Sequence, residues 1–435
     1  MKIGIIGAGI SGLASAMKAK ELGMEFTVFD GRDQVGGRLL NKDLVDGSII
    51  ELGGQWFNHH HKEVQKLIDN LGLLTFATPV KADFEHLFER EVKMGLDLPK
   101  FKALIDEICY MADQLDLNDL MNHPKAKNWD AIDFNEWIMY QTNDQLIKDS
   151  VNVLFNWHFS NFQVDNTSLL NVLFFIKSNN AVKYFFEFSA GLNEQRIVGG
   201  LVLLAKKLAR QIGLENILLN SKVLKIEQKG NKVIIHTNQD SYEFDHVIIG
   251  LAPEMTKEIN FEPPLPPENI ALMKAFSKTK VYKFSFTYET KFWDGHGFNL
   301  KTSGYISKCI ENTTVINKDY VFVGFVIGDK KDVIMSKSVE ERKQILLDEI
   351  KTIYDSAEAY NYSDFSEYNW DDEIFKDGYF VSKLGINDWN KYHKIWSKPV
   401  GNIHFSGAEF SKNYNGFVEG GVQRGYEVID EILKK

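Results

Sequence analysis

The first residues of the chain carry glycines at a spacing that can hold a phosphate group. The run Gly7-Ala8-Gly9-Ile10-Ser11-Gly12 follows a short apolar segment and opens a helical pattern. Gly7 permits a tight turn, Gly9 lets the backbone approach a pyrophosphate, and Gly12 allows close helix packing, with the anion at the helix N-terminus. Asp30 ends the next apolar segment, where its carboxylate can accept hydrogen bonds from a ribose diol and disfavours a 2′-phosphate. The pattern predicts a βαβ unit that binds a dinucleotide other than NADP.

A second group of motifs follows directly. Arg32 precedes Gly36-Gly37-Arg38, and Glu51-Leu52-Gly53-Gly54-Gln55-Trp56 comes shortly after. Two adjacent glycines let backbone N–H groups approach phosphates, and an arginine beside them supplies a fixed positive fork. We therefore expect this stretch to line the same site.

With these motifs, and with Ser406-Gly407-Ala408-Glu409 and Gly416-Phe417-Val418-Glu419-Gly420-Gly421 near the C-terminus, the sequence resembles the flavin-dependent amine oxidases, the family of monoamine and polyamine oxidases. The resemblance implies FAD as the cofactor, with a helix starting at Val418 directed at the pyrimidine edge of the flavin. Many members have a carboxylate where this chain has Ala408, so the ribityl contact is assigned to Glu409. The cofactor-binding residues implied by the resemblance are Gly7, Gly9, Ser11, Gly12, Asp30, Arg32, Gly36, Gly37, Arg38, Gly53, Gly54, Gln55, Trp56, Val223, Trp370, Gly407, Glu409, Phe417 and Val418.

The same resemblance assigns the reacting face. Lys283 matches a lysine that binds flavin N5 through a water, which makes it the catalytic candidate. Phe380 and Phe417 match the two walls of an aromatic substrate cage, and Trp56 and Gln195 match further substrate-binding positions. Tyr379 occupies the position where monoamine oxidases attach FAD through a cysteine, so the FAD is expected to be non-covalent.

The implied reaction is the oxidation of an amine. Hydride would pass from the carbon beside the nitrogen to flavin N5, and dioxygen would reoxidise the flavin to give hydrogen peroxide. A Phe-lined cage also suits an apolar guest, so an FAD-dependent desaturase or dehydrogenase of an apolar substrate is an alternative. A protein that binds FAD without turnover is a further one.

The apolar patterns predict an α/β fold in which a Rossmann-like FAD-binding domain is interleaved with an α+β substrate domain, a mixed sheet plus a helical layer. Residues 1–78, 192–272 and 399–435 are assigned to the FAD-binding domain, and 79–191 and 273–398 to the substrate-binding domain. Predicted elements include strands over 1–6, 25–29, 217–226, 232–237, 246–251, 280–288, 321–327 and 402–405, and helices over 11–22, 101–115, 169–178, 201–211 and 418–433.

Composition narrows the function classes. The 435 residues are 44% hydrophobic and include 31 Phe, which excludes a disordered chain. The net charge of -10 argues against nucleic acid and anionic lipid as partners, and no apolar run is long enough for a membrane span. Cys109 and Cys309 are too few and too far apart for a disulfide framework or a zinc site, which favours a cytoplasmic protein. His59-His60-His61 is interpreted as a solvated helix start rather than a metal site, because adjacent residues of a regular element point to different sides.

Overall fold

The computed structural model describes residues 1–44, 46–78, 88–158, 166–181, 194–293, 304–370 and 382–434. The strands in chain order are β1 (Lys2–Ile6), β2 (Glu25–Phe29), β3 (Asn41–Asp43), β4 (Ile49–Glu51), β5 (Thr75–Ala77), β6 (Gln195–Ile197), β7 (Ile217–Leu218), β8 (Val223–Lys229), β9 (Lys232–Thr237), β10 (Ser241–Phe244), β11 (His246–Ile249), β12 (Asn260–Glu262), β13 (Ser277–Lys278), β14 (Val281–Tyr288), β15 (Ile306–Glu311), β16 (Tyr320–Ile327), β17 (Asp364–Tyr368), β18 (Ser382–Lys383) and β19 (Ile403–Phe405).

The α-helices of the described ranges are α1 (Ile10–Glu21), α2 (Lys62–Asn70), α3 (Glu89–Lys93), α4 (Leu98–Asp113), α5 (Ala126–Ala131), α6 (Phe134–Gln141), α7 (Gln145–His158), α8 (Leu169–Ser178), α9 (Val202–Ile212), α10 (Pro253–Thr256), α11 (Pro267–Ala275), α12 (Asp329–Met335), α13 (Val339–Tyr354), α14 (Asp388–Tyr392) and α15 (Val418–Leu433). Together with the strands they give the expected mixture of a sheet domain with helices and a further sheet with a helical block.

A parallel sheet joins the two ends of the chain. Its strand order is β19-β11-β1-β2-β7, and every neighbouring pair runs parallel. The sheet therefore places residues 403–405 two strands away from residues 2–6. Fully parallel strands are covered on both faces, and β1 is buried at every position after Lys2.

Helices α1 and α15 pack directly against each other over this sheet. A Cβ added at Gly425 would lie 2.5 Å from the Ser11 backbone oxygen and 2.9 Å from the Ala14 Cβ, so only glycine allows this approach. Ser15 Oγ donates to the Gly425 oxygen at 3.0 Å. The contact fixes the start of the C-terminal helix beside the start of the N-terminal one.

The second large sheet has the order β15-β16-β14-β17 and is antiparallel throughout. All eight residues of β14 are buried, and so are all residues of β16 after Tyr320. Some side chains of this sheet pack against α13. Others, such as Val323 and Phe325, share a hydrophobic core with the helical block α4 to α8. Arg196 of β6 links this sheet to the first motifs. It binds Glu51 of β4 in a buried ion pair, with Nη2 and Oε2 2.5 Å apart, and its Nη1 donates to the Asn312 oxygen just after β15 at 3.1 Å.

The predicted elements agree with the structure at their cores and differ at some ends. Strands 25–29 and 232–237 and helices 169–178 and 418–433 have the predicted bounds. The predicted segment 217–226 is two strands, β7 and β8, because the turn around Asn220 has a positive φ that interrupts the extended backbone. The predicted helix 101–115 begins earlier, at Leu98, because Asp97 caps it by accepting from the Lys100 N–H at 3.1 Å.

The interpretation of His59-His60-His61 was partly wrong. A helix does begin after them, at Lys62, but His61 is fully buried rather than solvated. Burial, with the neighbouring His60 and His59, lowers the pKa of His61 to about 3, so its imidazole is neutral. The rings of His59 and His60 lie 3.7 Å apart on the same side, because the two residues form a turn and not a regular element.

We expect Gly425→Ala to destabilise the protein by about 1–3 kcal/mol, the usual cost of overpacking a tight contact. The added methyl group must push α15 away from the Ser11 carbonyl. Asp430→Ala is the matched control on the exposed side of the same helix. Chemical unfolding of both variants measures the effect, and equal stability of the two would contradict the close approach.

Candidate active site

A long cavity of about 1880 Å³, including its opening to solvent, runs along the carboxyl ends of the parallel strands. Both ends of the chain line it, as do segments from the middle. The lining includes, from the predicted set, Gly7, Gly9, Ser11, Asp30, Arg32, Gly36, Gly37, Arg38, Gly53, Gly54, Gln55, Trp56, Val223, Trp370, Gly407, Phe417 and Val418. Parallel α/β sheets bind ligands at this edge.

Two helix N-termini open into this one cavity. α1 begins after Gly9 and α15 after Phe417, and neither first turn has a side-chain cap. The N–H groups that begin each helix are thus available to an anionic or hydrogen-bond-accepting ligand. Glu419 lies in the first turn of α15 but accepts instead from the Glu63 and Val64 N–H groups of α2, at 3.0 and 2.8 Å.

The first glycine motif forms a tight turn against α1. A Cβ at Gly12 would lie 2.0 Å from the Gly7 oxygen, so glycine is required there for packing and not for cavity lining. At Gly9 an added Cβ would meet only the Gly37 Cα, 3.7 Å away. The hydroxyls of Ser11 and Ser406 lie 2.5 Å apart, and the Gly407 N–H donates to Ser11 Oγ at 3.0 Å. Hydrogen bonds therefore join the glycine-rich turn at the start of α1 directly to the C-terminal motif.

Asp30 stands at the end of β2 with its carboxylate held by backbone donors. Its oxygens accept from the Ala8 N–H at 2.8 Å and the Arg32 N–H at 2.9 Å. Burial raises the pKa of Asp30 even though these bonds and the Arg32 charge oppose the shift. Next to it, the Ser221 N–H donates to the Asp30 backbone oxygen at 2.8 Å, which brings Val223 to the same part of the cavity.

Glu409 has a different partner from the one expected. Its carboxylate is fully buried and forms a bidentate pair with Arg38, with Nη2 and Oε2 3.0 Å apart. Gly407, Ala408 and Arg38 line the cavity, whereas Glu409 does not. A buried carboxylate requires a cation, and Arg38 supplies it. The ribityl contact that the resemblance implied for Glu409 is thus not favoured by the geometry.

Aromatic side chains are among the residues that line the cavity. Trp56, Trp370 and Phe417 line it as expected. Phe325 of β16 lines it too, 6.4 Å from Trp56 between ring centroids, and sequence analysis missed it. Phe417 packs against Phe175 and His61, with ring centroids 6.2 and 5.9 Å away.

Phe380 and Tyr379 lie outside the described residues. Gln195, the other expected substrate residue, is half-buried in β6, where its backbone pairs with Phe57 at 2.9 and 3.0 Å. Gln195 does not line the cavity formed by the described residues.

Lys283 is buried in the middle of β14, with 3% of its surface exposed. Its Nζ donates to Gln55 Oε1 at 2.6 Å and to the Gly53 oxygen at 3.1 Å, and lies 5.4 Å from the Phe325 ring. A buried ammonium needs such partners, which explains why a lysine is tolerated in an otherwise apolar strand. The lysine thus adjoins the cavity wall at Gly53, Gln55 and Phe325.

Over the described ranges, no cluster of three or more His, Cys, Asp or Glu side chains could hold a metal ion. None of the described helices has the length and apolar character needed to cross a bilayer.

Known proteins resemble this chain over its full length. It is 26% identical to the flavin-containing amine oxidase of Oncorhynchus mykiss over 450 residues, which cover 99% of this chain and 85% of the relative. It is 25% identical to a probable flavin-containing monoamine oxidase A of Dictyostelium discoideum over 451 residues, 99% of this chain and 97% of the relative.

Solved structures share the fold. Wild-type putrescine oxidase bound to putrescine superimposes with a TM-score of 0.90 at 25% identity, covering 100% of both chains. Cyclohexylamine oxidase from Brevibacterium oxydans IH-35A has a TM-score of 0.91 at 23% identity, covering 100% of this chain and 99% of that one, and is similar in fold.

The sequence model of the flavin-containing amine oxidoreductases matches residues 10–433. That range holds most of the cavity lining, both uncapped helix N-termini and the buried lysine. The chain is therefore a member of the flavin-containing amine oxidoreductase family, an enzyme that uses a flavin.

Proposed function

We propose that the protein is an FAD-dependent amine oxidase that uses dioxygen as the electron acceptor. The proposal rests on one observation: a single cavity is lined both by the glycine-rich turn before α1 and by aromatic side chains, with the buried Lys283 bonded to Gln55 in its wall. The proposal includes two domains: residues 1–78, 192–272 and 399–435 bind FAD, and residues 79–191 and 273–398 bind the substrate.

The described residues fit FAD. The open approach at Gly9 and the N-terminus of α1 suit a pyrophosphate. Asp30 suits an unphosphorylated ribose, and Val223 lies close to it. The N-terminus of α15 would stabilise negative charge on the flavin ring system.

The positions of the cysteines support a flavin that is not attached through a thioether. The sequence has two, and neither lines the cavity. Cys109 is buried in the core of the helical block, and Cys309 belongs to β15 and is buried in the core between the antiparallel sheet and α13. Burial raises the pKa of both thiols, so neither is a reactive thiolate.

When bound, the flavin would accept hydride from the amine and would pass the two electrons on to dioxygen, which is reduced to hydrogen peroxide. The chain's own contribution is orientation and exclusion of water. Trp56, Phe325 and Phe417 form an apolar surface that favours the neutral amine needed for hydride loss and can hold a slim hydrocarbon group. Phe380 is proposed as the second cage wall opposite Phe417.

Lys283 is proposed as the catalytic residue of the oxygen step. A fixed ammonium beside the reacting end of the cavity would stabilise negative charge that develops as oxygen is reduced. Its burial among apolar strands strengthens this electrostatic effect.

We expect hydrogen peroxide release with monoamines that carry an apolar group, and bleaching of the flavin by the same amines under argon. A peroxidase-coupled assay over a panel of amines measures the first result. Bleaching by an apolar polyene with no response to any amine would instead favour a desaturase, and a flavin that no compound reduces would contradict turnover.

We expect Lys283→Met to slow flavin reoxidation by oxygen at least about tenfold while FAD stays bound, because one charged hydrogen-bonding group is lost from the reacting face. Lys280→Met is the control, since this neighbouring lysine forms ion pairs with Asp329 and Asp332 near the surface. Stopped-flow mixing of reduced enzyme with oxygen measures the rate. Unchanged oxygen kinetics in Lys283→Met would remove Lys283 from this step.

A further inference from the structure

We propose that Gln55 and Asn312 are positioning residues that hold Lys283 in place for the oxygen step. We name these two side chains the amide relay. The relay rests on the proposed function, since it concerns how the proposed catalytic lysine is held.

The relay is continuous and buried. Lys283 Nζ donates to Gln55 Oε1 at 2.6 Å, and Gln55 Nε2 donates to Asn312 Oδ1 at 2.6 Å. Gln55 and Asn312 are each 1% exposed. At the far end, Arg196 Nη1 donates to the Asn312 backbone oxygen at 3.1 Å, and Arg196 is itself held by Glu51.

The orientation of both amides follows from chemistry. An ammonium only donates, so the Gln55 atom facing Lys283 must be the oxygen. The Gln55 nitrogen then faces Asn312, which must present its own oxygen. Each amide dipole therefore has its negative end towards the lysine. Turning Gln55 would set its Nε2 against the ammonium, and turning Asn312 would set its Nδ2 against Gln55 Nε2, so either change would place two donors face to face.

The relay joins the antiparallel sheet to the segment after β4 that lines the cavity. Gln55 lines the cavity after Gly53 and Gly54, whereas Asn312 follows β15 in the antiparallel sheet and its N–H donates to the Val321 oxygen at 2.6 Å. Lys283 lies on β14 in that same sheet. The antiparallel sheet thus fixes Asn312 and Lys283, and Gln55 binds both of them from the cavity wall.

The experiment compares Asn312→Leu, Lys283→Met and the double variant with the unchanged protein. Asn312 does not line the cavity, but its replacement by leucine removes the acceptor for Gln55 Nε2, so Gln55 should turn away from Lys283. We expect Asn312→Leu to slow reoxidation roughly five- to tenfold, the effect of one buried hydrogen bond. In the Lys283→Met background the same change should have less than about a twofold effect, because the residue it positions is gone.

Two controls separate positioning from general damage. Asn312→Asp keeps an oxygen opposite Gln55 Nε2 and should restore reoxidation to within about twofold of the unchanged protein. Asn171→Leu removes a buried amide of α8 that binds Trp389 and Thr167 and no residue of the relay, and it should lower stability without slowing reoxidation.

Thermal unfolding of the isolated proteins gives a second readout that does not depend on turnover. Asn312→Leu should lower the midpoint temperature of unfolding by less in the Lys283→Met background than in the unchanged protein. Additive losses, or equal slowing of reoxidation by Asn312→Leu in both backgrounds, would overturn the relay. If Lys283→Met itself leaves reoxidation unchanged, the relay proposal is also overturned, while reduction by amines under argon would still support the proposed function.

Discussion

The close packing of α1 on α15 is the contact on which the rest of the site depends. The absence of a side chain at Gly425 lets the two helices approach until Ser15 Oγ donates to the Gly425 backbone oxygen. β19 joins the parallel sheet beside β11, so a C-terminal strand lies in the same sheet as the N-terminal strand β1. Both helix N-termini consequently open into one cavity, and no short segment of the chain could form that cavity alone.

Buried charge is the second constraint, and each charge in the site has a partner. Arg38 pairs with Glu409, Arg196 with Glu51, and Lys283 with the oxygens of Gly53 and Gln55. Burial makes an unpaired charge costly, so these pairs hold their segments in one arrangement. The result is a rigid polar layer behind an aromatic surface, which suits a site that must orient a small substrate and keep water away.

The parts of the site that depend on local chain geometry could be predicted from the sequence. The turn at Gly7, the acid at Asp30 and the helix from Val418 are each encoded within a few residues, and Lys283 stands out as a charge in an apolar strand. Contacts between distant segments could not be predicted in this way. Gln55 and Asn312 are 257 positions apart, and Glu409 and Arg38 are 371 positions apart, so no local pattern in the sequence pairs them.

Phe325 escaped prediction for another reason. Nearly every residue of β16 is buried, so the strand lacks the alternation that would mark one face as lining a cavity. The burial of His61 was missed because a turn, and not a regular element, sets its direction.

The most direct test of the account is the flavin content of the purified protein before and after denaturation. We predict a yellow protein that carries close to one FAD per chain and releases all of it into solution when the polypeptide is unfolded. A colourless protein that cannot be loaded with FAD, or a flavin that remains attached to the unfolded chain, would contradict a non-covalent FAD site closed by the two ends of the chain.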